Sequence, residues 1–108
     1  MLYYTGIVAE LDHIFVCTSD DADHAARLVN FGLTEGTPNV HPGQGTACRR
    51  FFLANTYIEL VWINDPTEAQ SEAVRQTHLW ERWIGRANDA CPFGMALRPT
   101  AGRLRHSG

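Results

Sequence analysis

The sequence has no long hydrophobic run, no closely paired cysteines and no basic cluster over most of its length. Each absence excludes a class of protein. A membrane helix needs about 20 consecutive apolar residues, and no stretch of the 108 residues approaches that. The opening MLYYTGIVAELD carries no Lys or Arg and no apolar h-region, so a secretory leader is not expected. Cys17, Cys48 and Cys91 are odd in number, far apart and without a C-x-x-C pair. That argues against a disulfide scaffold and a cysteine-only zinc site, and the expected compartment is the reducing cytoplasm. Nine basic against twelve acidic residues leave a net charge of −3. Duplex binding needs a concentrated cationic footprint, so neither nucleic acid nor membrane is expected as a partner. What is present suffices for a core: 44% hydrophobic residues, in a length that allows one small domain.

Residues 11–17 (LDHIFVC) alternate, with Leu11, His13, Phe15 and Cys17 on one face, which predicts a strand. Ser19 then stands as an N-cap before Asp20, Asp21 and Asp23, whose charges suit a helix N-terminus. Ala22, Ala25, Ala26 and Val29 give an apolar stripe, and Gly32 sits where a left-handed residue closes a helix over 20–31. Residues 36–46 (GTPNVHPGQGT) read as loop with a short strand near Asn39 and Val40. Residues 47–54 (ACRRFFLA) and 57–63 (YIELVWI) are strand-like, and Asn55-Thr56 between them suggests a tight hairpin. Asp65-Pro66-Thr67-Glu68 is a helix start, with Asp as N-cap and Pro at the first helical position. The stripe Ala69, Ala73, Trp80, Ile84 and Ala87 continues as one helix or as two broken near 76–79. Residues 91–97 (CPFGMAL) predict a last strand, and the tail from Pro99 is expected to fray.

This order predicts an α+β fold: a βαβββ module with a mixed sheet over 1–65, a linking helix and strand over 66–98, and a disordered tail over 99–108. The helix covers one face of such a sheet. The other face is expected to carry Phe15, Phe51, Leu53, Tyr57 and Val61, and a second copy in a homodimer would cover it economically.

His13 and Glu59 each stand mid-strand on a face otherwise apolar or aromatic. A carboxylate there is costly unless it is paired, hydrogen-bonded or holding a cation. Imidazole nitrogen and carboxylate oxygen suit divalent zinc, iron, nickel or manganese. The alternative is a satisfied core histidine and a glutamate facing solvent. The segment His41-Pro42-Gly43-Gln44-Gly45-Thr46 offers an imidazole and accessible glycine amides to a ligand, or is simply an ordered turn. Arg49, grouped with Phe51 and Leu53, can bind a substrate carboxylate, pair with Glu59 or make a surface salt bridge. Cys17 and Cys48 read as packing residues, and no glycine-flanked serine marks a nucleophile elbow.

LDHIFVCT, an amphipathic helix ending NFGL and then HPGQGTACRRFFLANTYIELVWI together resemble the vicinal oxygen chelate superfamily of glyoxalases, bleomycin-resistance proteins and extradiol dioxygenases. Within it the likeness is to glyoxalase-like domains, over residues 9–65, and CPFGMALRPT resembles the opening strand of a second module. The resemblance implies two modules paired around a deep cavity, with metal ligands on their first and fourth strands. His13 and Glu59 match those ligands, whereas Phe93 stands where the second module's histidine would be. The second module is therefore expected to be incomplete, and a homodimer would bring two His13 and two Glu59 together. The implied activity is that of a divalent-metal-dependent lyase, isomerase or dioxygenase acting on a small substrate with vicinal oxygens. Glu59 would then be a ligand or general base, and His41, Arg49, Phe51 and Tyr57 would contact substrate. The other implied reading is a metal-free, drug-sequestering protein with an aromatic cleft of Phe15, Phe51, Tyr57 and Trp62.

Overall fold

The computed structural model describes residues 8–19 and 22–100. Strand β1 (Ala9–Cys17) is followed by helix α1 (Ala22–Phe31), then by β2 (Thr34–Glu35), β3 (Asn39–His41), β4 (Thr46–Phe52) and β5 (Tyr57–Ile63). Helix α2 (Pro66–Ala69), a 3-10 turn (Arg75–Thr77), helix α3 (Leu79–Ile84) and β6 (Phe93–Pro99) complete the described residues. The helix turn expected at Asp20 and Asp21 and residues 101–108 of the expected tail lie outside them, whereas Pro99, expected to begin that frayed tail, ends β6 opposite Ala9 and Thr100 donates its amide to the Val8 carbonyl. Gly32, at φ +118°, closes α1 as its position predicts. None of the described helices is long and apolar enough to cross a membrane.

Among the described residues six strands form one mixed sheet in the order β2-β4-β5-β1-β6, with β3 also on β4. β1 runs parallel to β5, with Phe15 beside Glu59, and antiparallel to β6. The α1 face buries Ala25, Phe51 and Leu60, with Val16, Leu28, Leu33 and Ile58 packed around them. Phe51 is fully buried there, a burial that stabilises the fold by about 2–3 kcal/mol. On the opposite face Cys17, Cys48 and Val61 are buried beneath Leu79 and Trp83 of α3, so the chain itself covers part of the surface expected to need a second copy. Trp83 fixes that helix by donating its indole N–H to the Thr18 carbonyl at 2.7 Å.

Two expectations about facing are corrected. β4 and β5 are joined by four residues, 53–56, closed by Leu53 N–H donating to the Thr56 carbonyl, and Phe52 pairs with Tyr57. Directly opposed residues of an antiparallel pair project to the same side. Phe51 opposite Ile58 and Arg49 opposite Leu60 therefore join the α1 face, and Cys48, Arg50 and Phe52 take the face of Tyr57, Glu59 and Val61. Leu53, expected in the strand, lies in the turn and is exposed.

The segment after β5 breaks as the second of the two sequence alternatives. Asp65 caps α2 by accepting from the Thr67 and Glu68 amides at 3.1 Å each, and His78, at φ 58°, separates the 3-10 turn from α3. Strand β6 alternates: Phe93, Met95 and Leu97 are exposed, while Gly94 and Ala96 face Phe15 and His13. A Cβ on Gly94 would overlap the Phe15 ring, so the ring occupies the space left by the missing side chain.

Candidate functional site

The parallel pairing of β1 with β5 brings the imidazole of one strand beside the carboxylate of the other. His13 Nε2 lies 3.4 Å from Glu59 Oε1, with both side chains largely shielded from solvent. The ring is fixed from behind. Its Nδ1 is 2.7 Å from Asp12 Oδ1 and its plane stacks on Tyr57 at 4.5 Å between centroids. Alternation alone would turn Asp12 away from His13. A register shift against β6 between Leu11 and His13 leaves Asp12 without an opposed residue and lets its carboxylate reach the ring. The hydrogen bond from His13, and after it that from Arg98 Nη1 at 3.0 Å, hold the Asp12 carboxyl below its ordinary range. With Nδ1–H donated to Asp12, Nε2 presents a lone pair to a carboxylate oxygen. That arrangement leaves Nε2 and a carboxylate oxygen side by side at the cavity.

The second imidazole comes from the glycine loop. His41 ends β3 and Thr46 opens β4, and the two are opposed in the sheet. Their side chains meet at 2.8 Å through His41 Nδ1 and Thr46 Oγ1, which turns His41 Nε2 toward Cys48 Sγ at 3.7 Å. One ligating atom each from His41, Cys48 and Glu59 lie within 4.8 Å of one another. Burial, then the hydrogen bond and the charge of Glu59, push the Cys48 thiol up to about 12, so it is S–H at neutral pH. Burial first, and then the Glu59 charge, also raises Tyr57 above its ordinary value.

The loop glycines serve structure. Gly43 and Gly45 donate their amides to Glu68 Oε1 at 2.9 and 3.0 Å, so these amides are committed to α2 rather than offered to a ligand. Gly45 also accepts from the Asn64 and Asp65 amides through its carbonyl. His41 alone of this loop's expected contributions reaches the site.

A cavity of about 310 Å³ opens over these groups. Its polar wall is His13, His41, Gln44, Thr46, Glu59 and Thr77, and its apolar wall is Phe15, Val61, Leu79 and Ala96. Of the residues expected at the site, His13, Glu59 and His41 come together here, and Tyr57 stands behind His13 as a stacking support. Arg49 and Phe51 do not reach it. On the α1 face Arg49 makes a two-pronged bond to Glu35, at 2.7 and 3.0 Å, and Phe51 is core. Trp62, paired with Ala47, is on that face too, so the aromatic cleft expected from Phe15, Phe51, Tyr57 and Trp62 does not form. The residues that sequence reasoning missed are Cys48 and Asp12, while Thr46 was in the candidate loop without a role of its own. The alternation that placed Glu59 would have found Cys48, once the hairpin register linked the two strands.

A mixed sheet that carries an imidazole on β1 and a carboxylate on the parallel neighbour β5, both facing a cavity, has the architecture of the vicinal oxygen chelate proteins. The glyoxalase-like domain family, part of that superfamily, matches residues 11–106, and the chain belongs to it. No curated protein sequence matches the chain.

Proposed function

We propose that this glyoxalase-like chain binds a divalent metal ion with His13 and Glu59 and acts as a lyase, isomerase or dioxygenase on a small molecule with vicinal oxygens. The observation that carries the reading is the approach of His13 Nε2 to Glu59 Oε1, 3.4 Å apart, with the other ring nitrogen held by a carboxylate. A carboxylate behind a metal-binding histidine is the usual device for orienting the ring and raising its basicity. The donor set suits zinc, nickel, iron or manganese. Bound there, the ion supplies Lewis-acid polarisation of the substrate oxygens.

The chain's own residues do the rest. Glu59 Oε1 faces the cavity as the base for a proton on a substrate carbon, a role it would take when not holding the ion, while His13 Nε2 would keep the ion in place. Phe15, Val61, Leu79 and Ala96 exclude water from one side, which strengthens every charge interaction on the other. The apolar row Phe93, Met95 and Leu97 supports the further reading that residues 66–98 bring the opening strand of an incomplete second module, which a second chain completes in a homodimer.

Elemental analysis of the purified chain tests the metal. We expect one ion per chain, lost to a chelator and regained on reloading, and lost in both His13→Ala and Glu59→Gln. Ion-free protein that cannot be reloaded would sink the reading.

A second reading, metal-free binding of a small apolar ligand, is favoured by the apolar wall of Phe15, Val61, Leu79 and Ala96. It predicts tryptophan-fluorescence titrations with aromatic ligands that a chelator leaves unchanged.

A further inference from the structure

The family resemblance supplies two ligands per module and leaves the remainder to a second module or a second copy. The geometry of this chain points elsewhere. His41 Nε2 and Cys48 Sγ are 3.7 Å apart, and a ligating atom of each lies with one of Glu59 inside a span of 4.8 Å. Donors around a tetrahedral ion, with bonds of about 2.0–2.3 Å, stand roughly 3.3–3.8 Å from one another. The His41–Cys48 separation falls in that interval, and a Glu59 oxygen stands within 4.8 Å of both.

These side chains arrive from separate elements: His41 from the end of β3, Cys48 from β4 and Glu59 from β5. They meet because β4 lies between β3 and β5 in the sheet and presents Cys48 opposite Val61, on the same face as Glu59. His41 is oriented in the manner of a ligand, with Nδ1 on Thr46 Oγ1 and Nε2 free to turn toward the cluster. Nothing in packing alone requires an imidazole, a thiol and a carboxylate to converge.

We propose that His41 and Cys48 complete, from the same chain, the ligand set that Glu59 anchors, so that each chain holds one thiophilic ion of the zinc class without help from a second copy. This rests on the reading that the cavity holds a divalent ion, and adds which ligands finish the site and which metals it prefers. A thiolate ligand selects zinc and cobalt over manganese, which prefers oxygen donors. Binding replaces the Cys48 proton with the ion.

Cobalt(II) added to metal-free full-length chain is the probe. We expect saturation at one cobalt per chain, visible ligand-field bands of a four-coordinate ion and a near-ultraviolet thiolate-to-cobalt charge-transfer band. Cys48→Ser should lose the charge-transfer band with its circular dichroism unchanged, His41→Ala should weaken cobalt binding by about tenfold or more, and Cys91→Ser should keep everything. The stoichiometry should not change on dilution through any dimer dissociation. Visible bands with no charge-transfer band would overturn the role of Cys48 and leave a metal on His13 and Glu59. Half an equivalent per chain, falling on dilution, would overturn the single-chain site in favour of one shared between copies. No bands at all would overturn this inference and the metal reading together.

Discussion

Gly43 and Gly45 sit in one loop, both with left-handed backbones at φ +83° and +72°, and differ in what surrounds them. An added Cβ at Gly43 meets nothing within 4 Å, whereas at Gly45 it would overlap the Asp65 carbonyl oxygen and the Ala69 amide nitrogen. Gly43→Ala therefore carries only the left-handed penalty, about 1–2 kcal/mol. Gly45→Ala carries that penalty plus an overlap with backbone that cannot rotate away, and forced overpacking adds about 1–3 kcal/mol. The sum is roughly 2–5 kcal/mol, against about 1–2 for the neighbour. Urea unfolding followed by tryptophan emission measures both, with the midpoint as readout if the slope is unchanged. Gly45→Ala should also weaken any ligand of His41, because the loop must lift from α2 to make room. Equal destabilisation by the two substitutions, or a milder effect at Gly45, would refute the reasoning.

Two further outcomes follow from other parts of the structure. Cys91 is exposed while Cys17 and Cys48 are buried, with thiols raised chiefly by burial, so a thiol reagent at neutral pH should label Cys91 quickly and the other two only on unfolding; rapid labelling of all three in folded protein would contradict the burial. Arg49 holds the Glu35 carboxyl below its ordinary value of 4.5 through a direct hydrogen bond. The pair thus stabilises the fold above that pH and ceases to as pH falls through the folded value. Being partly exposed it should contribute no more than about 1 kcal/mol, and Glu35→Gln should be destabilised relative to the parent at pH 7 but not in strong acid, as unfolding midpoints across pH will show.

Much of the fold was legible because local signals agreed. The alternation of LDHIFVC, the Asp65-Pro66 start and Gly32 each named an element whose backbone demands that residue type. His13 and Glu59 were legible for the same reason, as polar groups on apolar strand faces. The face of Phe51 and Arg49 was written in the sequence but needed one more step. A hairpin turn of two residues or of four pairs Phe51 with an even-numbered residue of YIELVWI, which sets it opposite Leu60 or Ile58, away from Glu59. Counting alternation along each strand separately loses that constraint. Asp12 was not legible, since its reach to His13 depends on a bulge created by pairing with β6, more than 80 residues further along the chain. The service of Glu68 to the glycine loop is hidden likewise: the residue looks like a helix-capping glutamate, and its carboxylate is spent on amides more than 20 positions earlier.

The absent side chain at position 94 has a consequence for the shape of the cavity. Phe15 rests in the gap it leaves and forms part of the apolar wall. A methyl group there would force the aromatic ring aside and reshape the apolar wall, without altering a single donor atom. Strand β6 thus shapes the hollow from outside its polar wall, and a single-residue change on it would remodel that space while leaving His13, His41 and Glu59 as they are.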